Sequence, residues 1–409
     1  MNMNTTQAYL HRLNQKEPHL LALIVISSFA SMGAVIFAPA LPEIAAYFHI
    51  SEGHSQLTIT LFLLGYAIGQ LIYGPLANRF GRKPAFYIGI VIATLGSLIS
   101  IGSEPLHSFV ALITGRMLEA LGSSAGLVIA FTIIGDHYYP EQARRIIAYL
   151  MLAFAIVPGV ATCIGGILVT HFHWISCFYF LLIYGLCLII PAACLHETAK
   201  ELKTDALQVS QIIKNYGIAV KNKLLIRTTS FFGLSGMCIY LYVASSPLIA
   251  INHLQLSPQT YGLVGLIPFF GTALGSLVSA RLSTLFSTTA LMRTGFAIDI
   301  FAALILSISF YFGVINLTIL ILGGFVLMFG NCLIVGSGAS IATMNAIDKA
   351  NASAVMNFIN VGMLVLGTFT LAIVPGSPII KFPVLVLLAI GLMSLVWVFL
   401  IEKDKKIIS

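Results

Sequence analysis

Apolar stretches alternate with short polar breaks along almost the whole chain. The runs cover 20–41, 55–76, 84–102, 107–134, 146–169, 175–195, 226–250, 259–281, 289–312, 314–343, 352–374 and 382–401. A hydrocarbon core of roughly 30 Å takes about 20 apolar residues as one helix, so the pattern predicts twelve membrane-spanning helices. The longest polar stretch, His196 to Lys223, falls between the sixth run and the seventh. It divides the chain into an N-terminal tail (1–19), a first six-helix bundle (20–195), a linker (196–225), a second six-helix bundle (226–401) and a C-terminal tail (402–409). The fold class is all-α membrane protein, with a substrate site expected between the halves near the midplane.

Composition agrees with lipid as the outer solvent: 58% of residues are hydrophobic and 9% charged, against about 25% charged in soluble domains. The net charge of +7 would suit a nucleic-acid partner, but the basic residues sit in short stretches between apolar runs. With the N-terminus in the cytoplasm, Arg12, Lys16, Arg79, Arg82, Lys83, Arg144, Arg145, Lys200, Lys203, Lys214, Lys221, Lys223, Arg227, Arg281, Arg293, Lys349, Lys403, Lys405 and Lys406 face inside, and Lys381 alone faces outside. This positive-inside asymmetry orients both termini to the cytoplasm. The first run is too long for a signal-peptide core and is read as a retained span.

Several chemistries find no support. No phosphate-loop pattern occurs, no nucleophile–base constellation emerges, and the chain reads as a transporter rather than an enzyme, without cofactor. The six cysteines lie in or beside apolar runs without a C-x-x-C pair and read as packing residues. His171 and His173 in "HFHW" lack the acidic or thiol neighbours of a metal site. Trp174 is expected in the interfacial aromatic belt.

Charge inside the fourth run is the exception. "ALITGRMLEALGSSAGLVIA" (111–130) places Arg116 and Glu119 in an otherwise apolar segment. An uncompensated charge at mid-membrane costs about 2.5–3.5 kcal/mol on insertion scales. Three residues apart on a helix, the two side chains meet, and pairing lowers that cost. At about 100° per residue, Gly115, Gly122 and Gly126 form one stripe expected to pack on a neighbouring helix, with Arg116, Glu119 and Ser123 beside it.

The loop after the second run reads "GYAIGQLIYGPLANRFGRKP". Gly65, Gly69 and Gly74 are spaced for close helix contact, Pro75 bends the exit, and Gly81 with Arg79, Arg82 and Lys83 makes a basic turn. This resembles the loop motif G-x-L-A-D-R-x-G-R-K of the major facilitator superfamily. "APALPEI" (38–44), "GRMLEALGSSAG", "TIIGDHY" with Asp136, "YVASSPLI" (242–249) and "NASAV" (351–355) narrow the resemblance to twelve-span drug:proton antiporters of the Bcr/CflA type, over essentially the whole chain. "FAIVPGVATCIGGIL" in the fifth run is similar to the superfamily's antiporter motif at Pro158, Gly165 and Gly166, with Thr162 in place of a second proline.

The resemblance implies a major facilitator fold and proton-driven export of a small amphiphile from a bacterial inner membrane, with protons and lipid as the other partners, no nucleic acid, and a monomer. Besides Thr162, three positions depart from it. Asn78 replaces the loop acid, Val35 an aspartate of the first span, and Glu119 a glutamine. Glu119 is therefore the leading protonation site, with Arg116 as its partner; a permanent structural pair is the rival reading. Asp299 in the ninth span, the other intramembrane acid, is a further candidate for proton coupling, with a structural partner across helices as the favoured reading. The cavity wall is expected to include Tyr66, Gln70, Arg116, Glu119, Ser123, Tyr240, Asn331, Asn357 and Asn360. Gly74, Asn78, Arg79, Gly81, Arg82, Lys83, Asp136, Pro158, Gly165 and Gly166 are expected to serve the conformational cycle. Export of an endogenous metabolite or siderophore, uptake by symport, and a transport-inactive sensor or scaffold are the competing functions.

Overall fold

The computed structural model describes residues 18–199, 202, 206–208, 216–344 and 349–408. Arg12, Lys16, Lys200, Lys203 and Lys214, part of the charge count above, lie outside the described residues, as do nearly all of the N-terminal tail and part of the linker. Among the described residues, twelve helices are long and apolar enough to cross a membrane: α1 (Leu20–Tyr47), α2 (Glu52–Phe80), α3 (Arg82–Gly102), α4 (Phe109–His137), α5 (Glu141–Phe172), α6 (Ser176–Cys194), α7 (Lys223–His253), α8 (Pro258–Leu282), α9 (Thr288–Tyr311), α10 (Leu317–Met344), α11 (Asn351–Ile373) and α12 (Pro378–Phe399). The apolar runs locate all twelve, and the helices extend past them where polar residues join an end. At α2, Ser51 caps the preceding turn by accepting from the His54 amide, so the helical path starts at Glu52.

The fold is the two six-helix bundles of the major facilitator architecture. Within the first bundle α4 packs on α3 and α2, and within the second α10 packs on α9 and α8. Between bundles the main pairings are α2 with α11 and α5 with α8. Advancing each index by six, modulo twelve, maps α2–α11 onto α8–α5, so the interface follows the same internal symmetry as the bundles. The helices that end in "APALPEI" and "SSPLI" break at matching places. α1 passes through a 3-10 turn at Ala38–Ala40, and α7 ends in a π-turn at Ile249–His253 just after Pro247. Prolines remove the amide that would continue the helix, and the chain uses both to turn.

Small residues set how closely the first bundle packs. A Cβ on Gly115 or Gly122 would collide with α3 at Gly96 and Ser100 or at Gly89 and Ala93. A Cβ on Gly126 would strike the Ile26 carbonyl of α1. The expected single stripe is therefore divided between two neighbours, because α4 leans from α3 toward α1 along its length. Gly65 and Gly69 of α2 close on the other side of α4, against the Met117 carbonyl and Ser124. Gly74 departs from the expectation: a Cβ there meets nothing within 4 Å. Trp174 also departs from it. The ring is buried, tilted against Tyr47 and edge-on to Phe48 and Phe178, because the turn after α5 folds the indole inward.

These contacts separate two kinds of glycine. Gly122→Ala should lower the thermal unfolding temperature of the purified protein, since overpacking costs about 1–3 kcal/mol. Gly74→Ala should leave that temperature unchanged or raise it slightly, as Ala is the better helix former by about 1 kcal/mol. Equal losses in the two variants would contradict the packing described.

Candidate functional site

Arg116 and Glu119 are enclosed in the first bundle, with side-chain exposures of 0% and 2%. Arg116 Nη1 donates to Glu119 Oε2 at 2.8 Å, and Nη2 donates to the Gly33 carbonyl of α1 at 2.6 Å. The guanidinium carbon lies 4.1 Å from the Phe37 ring centre and 4.3 Å from that of Phe62, with Phe178 at 5.8 Å. A cation between aromatic faces is attracted by their quadrupoles, more so away from water. The remaining nitrogen, Nε, has no hydrogen-bond partner. α1, α2, α4 and α6 thus converge on one arginine. Gly33 makes room for the acid: a Cβ there would lie 2.9 Å from Glu119 Oε1 and 3.2 Å from the Phe62 ring.

Beside this assembly a cavity of about 70 Å³ lies between the halves. Its walls come from α1 (Ala30, Ser31, Ala34, Val35), α2 (Phe62, Leu63, Tyr66) and α5 (Phe154, Pro158) of the first bundle. α7 (Ile239, Tyr240, Val243) and α8 (Phe269) of the second bundle complete them. Of the expected wall residues the structure brings Tyr66 and Tyr240 here, together with Pro158, which is expected to serve the conformational cycle. It does not bring Arg116, Glu119 or Ser123 there; the pair sits one layer behind, and Phe62 is the ring between. Ser123 bonds back to the Ala120 carbonyl of its own helix. Gln70 is buried further along α2, and Asn357 and Asn360 are half-buried on α11, Asn360 beside Gly233 and Gly236 of α7. Val35, where the resemblance implies an aspartate, is in the wall. Sequence reasoning missed Phe62, which carries no polar group to mark it.

Asp299 is buried at 1% exposure and accepts from Ser235 Oγ at 2.6 Å, while Asn331 Nδ2 donates to Ser235 Oγ at 2.9 Å. The chain of three ties α9, α7 and α10. Glu43 at the far end of α1 lies 3.2 Å from His173 Nδ1. Among the described residues no group of three or more potential metal ligands occurs.

At the face that holds the termini, the basic turn is clamped. Arg82 Nε donates to Asp136 Oδ2 at 2.8 Å, and Thr198 Oγ1 donates to the same oxygen at 2.9 Å. Glu197 accepts from the amides of Arg82 and Lys83, both at 3.0 Å, placing an anion on the N-terminus of α3 where the helix dipole favours it. Gly81 takes φ 99°, and a Cβ would lie 2.6 Å from Glu197 Oε2; both facts demand glycine. Lys83 Nζ donates to the carbonyls of Ala193 and Leu195, capping α6. Arg79 rests over Phe80, and Asn78 makes no hydrogen bond among the described residues. The paired glycines of α5 divide their work. Gly165 admits the Ile36 carbonyl of α1, and Gly166 admits Pro258 and Gly262 of α8 in the other half.

Away from the termini the two halves are joined directly. Asn252 Nδ2 donates to Glu52 Oε1 at 2.5 Å, Gln56 Nε2 to the Ala244 carbonyl at 3.1 Å, and the Gln259 amide to Thr170 Oγ1 at 3.0 Å. Lys381, the lone outside-facing cation of the sequence reading, donates to the carbonyls of Leu371 and Val374 at the end of α11. A buried cation suits a helix C-terminus. Gly53 of the first half lies against the Ala372 carbonyl of the second at the same place.

Comparison with known proteins adds three findings. A family profile described as Major Facilitator Superfamily matches residues 23–251. Multidrug resistance protein D of Escherichia coli strain K12 is 27% identical over 323 residues, covering 76% of this chain and 77% of its own; a bicyclomycin resistance protein homolog of Haemophilus influenzae is 26% identical over 286 residues, 68% and 70%. The xylose transporter XylE from E. coli, in a partially occluded inward-open conformation, superposes with a TM-score of 0.70 at 13% identity, over 94% of this chain and 98% of that one. That likeness shows the fold.

The burial of the pair makes its energetics testable. Removing one partner from a buried ion pair strands the other and costs about 3–5 kcal/mol, whereas replacing both with apolar residues is often neutral. Arg116→Met should therefore unfold at a much lower temperature than wild type. Arg116→Met combined with Glu119→Met should recover most of the loss.

Proposed function

The chain belongs to the major facilitator superfamily, and on that premise we propose that it exports a small amphiphilic molecule across a bacterial inner membrane in exchange for protons, by alternating access. Family and fold are those of a transporter, not a catalyst, and the chain is a multi-pass membrane protein. The observation that carries the proposal is the burial of Arg116 and Glu119 one aromatic ring from the cavity between the bundles. Intramembrane ionisable groups mark ion pathways and relays. Here the carboxylate has a fixed partner, so gain or loss of a proton switches the pair between an ion pair and a lone guanidinium held by Phe37, Phe62 and the Gly33 carbonyl. Val35 and Asn78 cannot titrate, which leaves Glu119 as the coupling acid of the first half.

The bundles are taken as 20–195 and 226–401, tethered by 196–225, with tails 1–19 and 402–409 and both termini in the cytoplasm. The direct contacts between halves away from the termini, at Glu52, Gln56 and Thr170, favour an arrangement closed to the outside. The α2–α3 turn, clamped by Asp136 and Glu197, moves as part of the first bundle, and the glycine contacts of α5 are the surface over which the bundles rock. The drug-resistance names of two relatives favour export of drug-like molecules. The chain acts as a monomer.

Proteoliposomes with an imposed pH gradient, screened over a panel of amphiphiles, test the reading. Wild type should accumulate substrate against its gradient when a proton gradient is imposed. Glu119→Gln should lose that accumulation while still exchanging substrate down its gradient. Accumulation that persists in Glu119→Gln would remove Glu119 from the coupling step.

A further inference from the structure

Phe62 faces two ways. One face of its ring lies on the Arg116 guanidinium, 4.3 Å from ring centre to carbon, and the side chain also lines the cavity. Of the three aromatic rings around Arg116, it is the one that does both. The edge of the ring lies by Gly33, where an added Cβ would touch both the ring and Glu119 Oε1, so ring and acid border the same small space. The rest of the cavity wall is aliphatic, aromatic or hydroxylic. Ser31, Tyr66 and Tyr240 are its polar side chains, and no Asp, Glu, Lys, Arg or His is among the lining residues. A charged ligand would find no counter-ion there. An aromatic one finds four rings and Phe269 to stack on, with hydroxyls for one or two hydrogen bonds.

We propose that the cavity takes an uncharged aromatic molecule and that Phe62 relays its arrival to the Arg116–Glu119 pair. The inference rests on the coupling role given to Glu119 above. With Glu119 protonated, the Arg116 charge depends on the Gly33 carbonyl and on the faces of Phe37 and Phe62. A ligand that draws Phe62 into the cavity removes one face, and the guanidinium then requires the carboxylate. The Glu119 O–H bond breaks, its electrons stay on the carboxylate oxygen, and the proton passes to water. Protonation from the other side restores the need for Phe62 on Arg116 and returns the ring, which expels the ligand. Ligand and proton thus exclude one another by reciprocal coupling without touching.

The test uses purified full-length protein in weakly buffered solution with a pH-sensitive dye. The ligand probes are dansylamide, an uncharged aromatic, and ethidium, a cation. Wild type should bind dansylamide, release about one proton per bound molecule, and bind ethidium at least ~10-fold more weakly. Phe62→Leu should bind dansylamide less well and, at saturation, release at least ~10-fold fewer protons per bound molecule. Phe62→Tyr, which keeps the ring face, should restore release and control for folding. Release at the wild-type ratio in Phe62→Leu overturns the relay. Equal ethidium affinity, or no dansylamide binding to wild type, overturns the ligand class. Glu119→Gln separates the two layers: release that survives in Glu119→Gln refutes the coupling acid and with it the relay to the pair, whereas release lost in Glu119→Gln but kept in Phe62→Leu overturns the relay alone.

A second observation, at the face of the termini, is independent of this one. Pro75 lies within α2 and has no N–H, so the Leu71 carbonyl four residues earlier lacks its helical donor. Tyr216 Oη donates to that carbonyl at 3.1 Å. Tyr216 begins the short helical stretch 216–220 before α7 and packs against a cluster of the second bundle that includes Leu225, Ala342 and Val355. Burial raises its phenol pKa, which keeps the group a donor. A linker hydroxyl packed on the second bundle thus fills a bond that a proline opened in the first. We infer that Tyr216 is a positioning residue, a tether between bundles that must release as they reorient.

A double-mutant cycle tests it. Pro75→Ala returns the missing N–H and makes the tyrosine redundant. The readout is the fraction of molecules closed at the terminal face, from spin-label distances between the inner ends of α5 and α8. Tyr216→Phe alone should change the ratio of closed to open molecules by about 5-fold, as for one net hydrogen bond. In the Pro75→Ala background it should change nothing. Equal effects of Tyr216→Phe in both backgrounds would overturn the tether.

Discussion

A guanidinium and a carboxylate shut away from water constrain everything around them in the first bundle. Their mutual attraction offsets desolvation only if the geometry is tight and the remaining donors find partners. The structure meets that demand from four helices: α4 supplies both charges, α1 a carbonyl, and α1, α2 and α6 the aromatic faces. Such convergence requires backbones closer than ordinary side chains allow. Hence Gly33 stands against Glu119, Gly96 against the Glu119 backbone, and Gly65 against Met117. The glycines are a condition for the charge pair, since a Cβ at any of these would push apart the helices that enclose it.

The same requirement explains why the pair stands back from the cavity. A charge at the wall would be hydrated whenever the cavity opens, and its state would follow the solvent rather than the ligand. Behind Phe62 and Gly33 the pair is instead enclosed by packed side chains. This arrangement also accounts for Val35. With Val35 in the wall and Glu119 enclosed behind it, the lining offers apolar surface.

Much of the architecture was legible because lipid imposes length and polarity on every span. Twelve runs and the paired charges at spacing three both follow from that constraint. What escaped was contact identity. The glycine stripe of α4 was visible, but its division between α3 and α1 depends on helix tilt, which no periodicity encodes. Gly74 matches the spacing of Gly65 and Gly69 yet faces open space. Trp174 carried the signature of an interfacial residue and is instead enclosed by Tyr47, Phe48 and Phe178. Phe62 gave no signal at all, since one phenylalanine among 27 shows its role only when the arginine on one side and the cavity on the other are both in place.

The two bundles share a topology but divide their polar chemistry unequally. In the first, the buried acid has a cation and can alternate between a charged pair and a neutral carboxyl beside a lone arginine. In the second, Asp299 has the hydroxyl of Ser235, itself held by Asn331, and one oxygen without a partner. A carboxyl held by neutral groups has no counter-ion to exchange, and its bonds run across three helices of its own bundle. It suits a fastening of α7, α9 and α10 into a unit that moves whole. Under the proposed exchange, the interior of one bundle would sense proton and ligand, and the other would carry that change to the α2–α11 and α5–α8 contacts. Internal symmetry supplies the matched surfaces, and the departure from symmetry at Arg116 and Asp299 assigns the bundles different work.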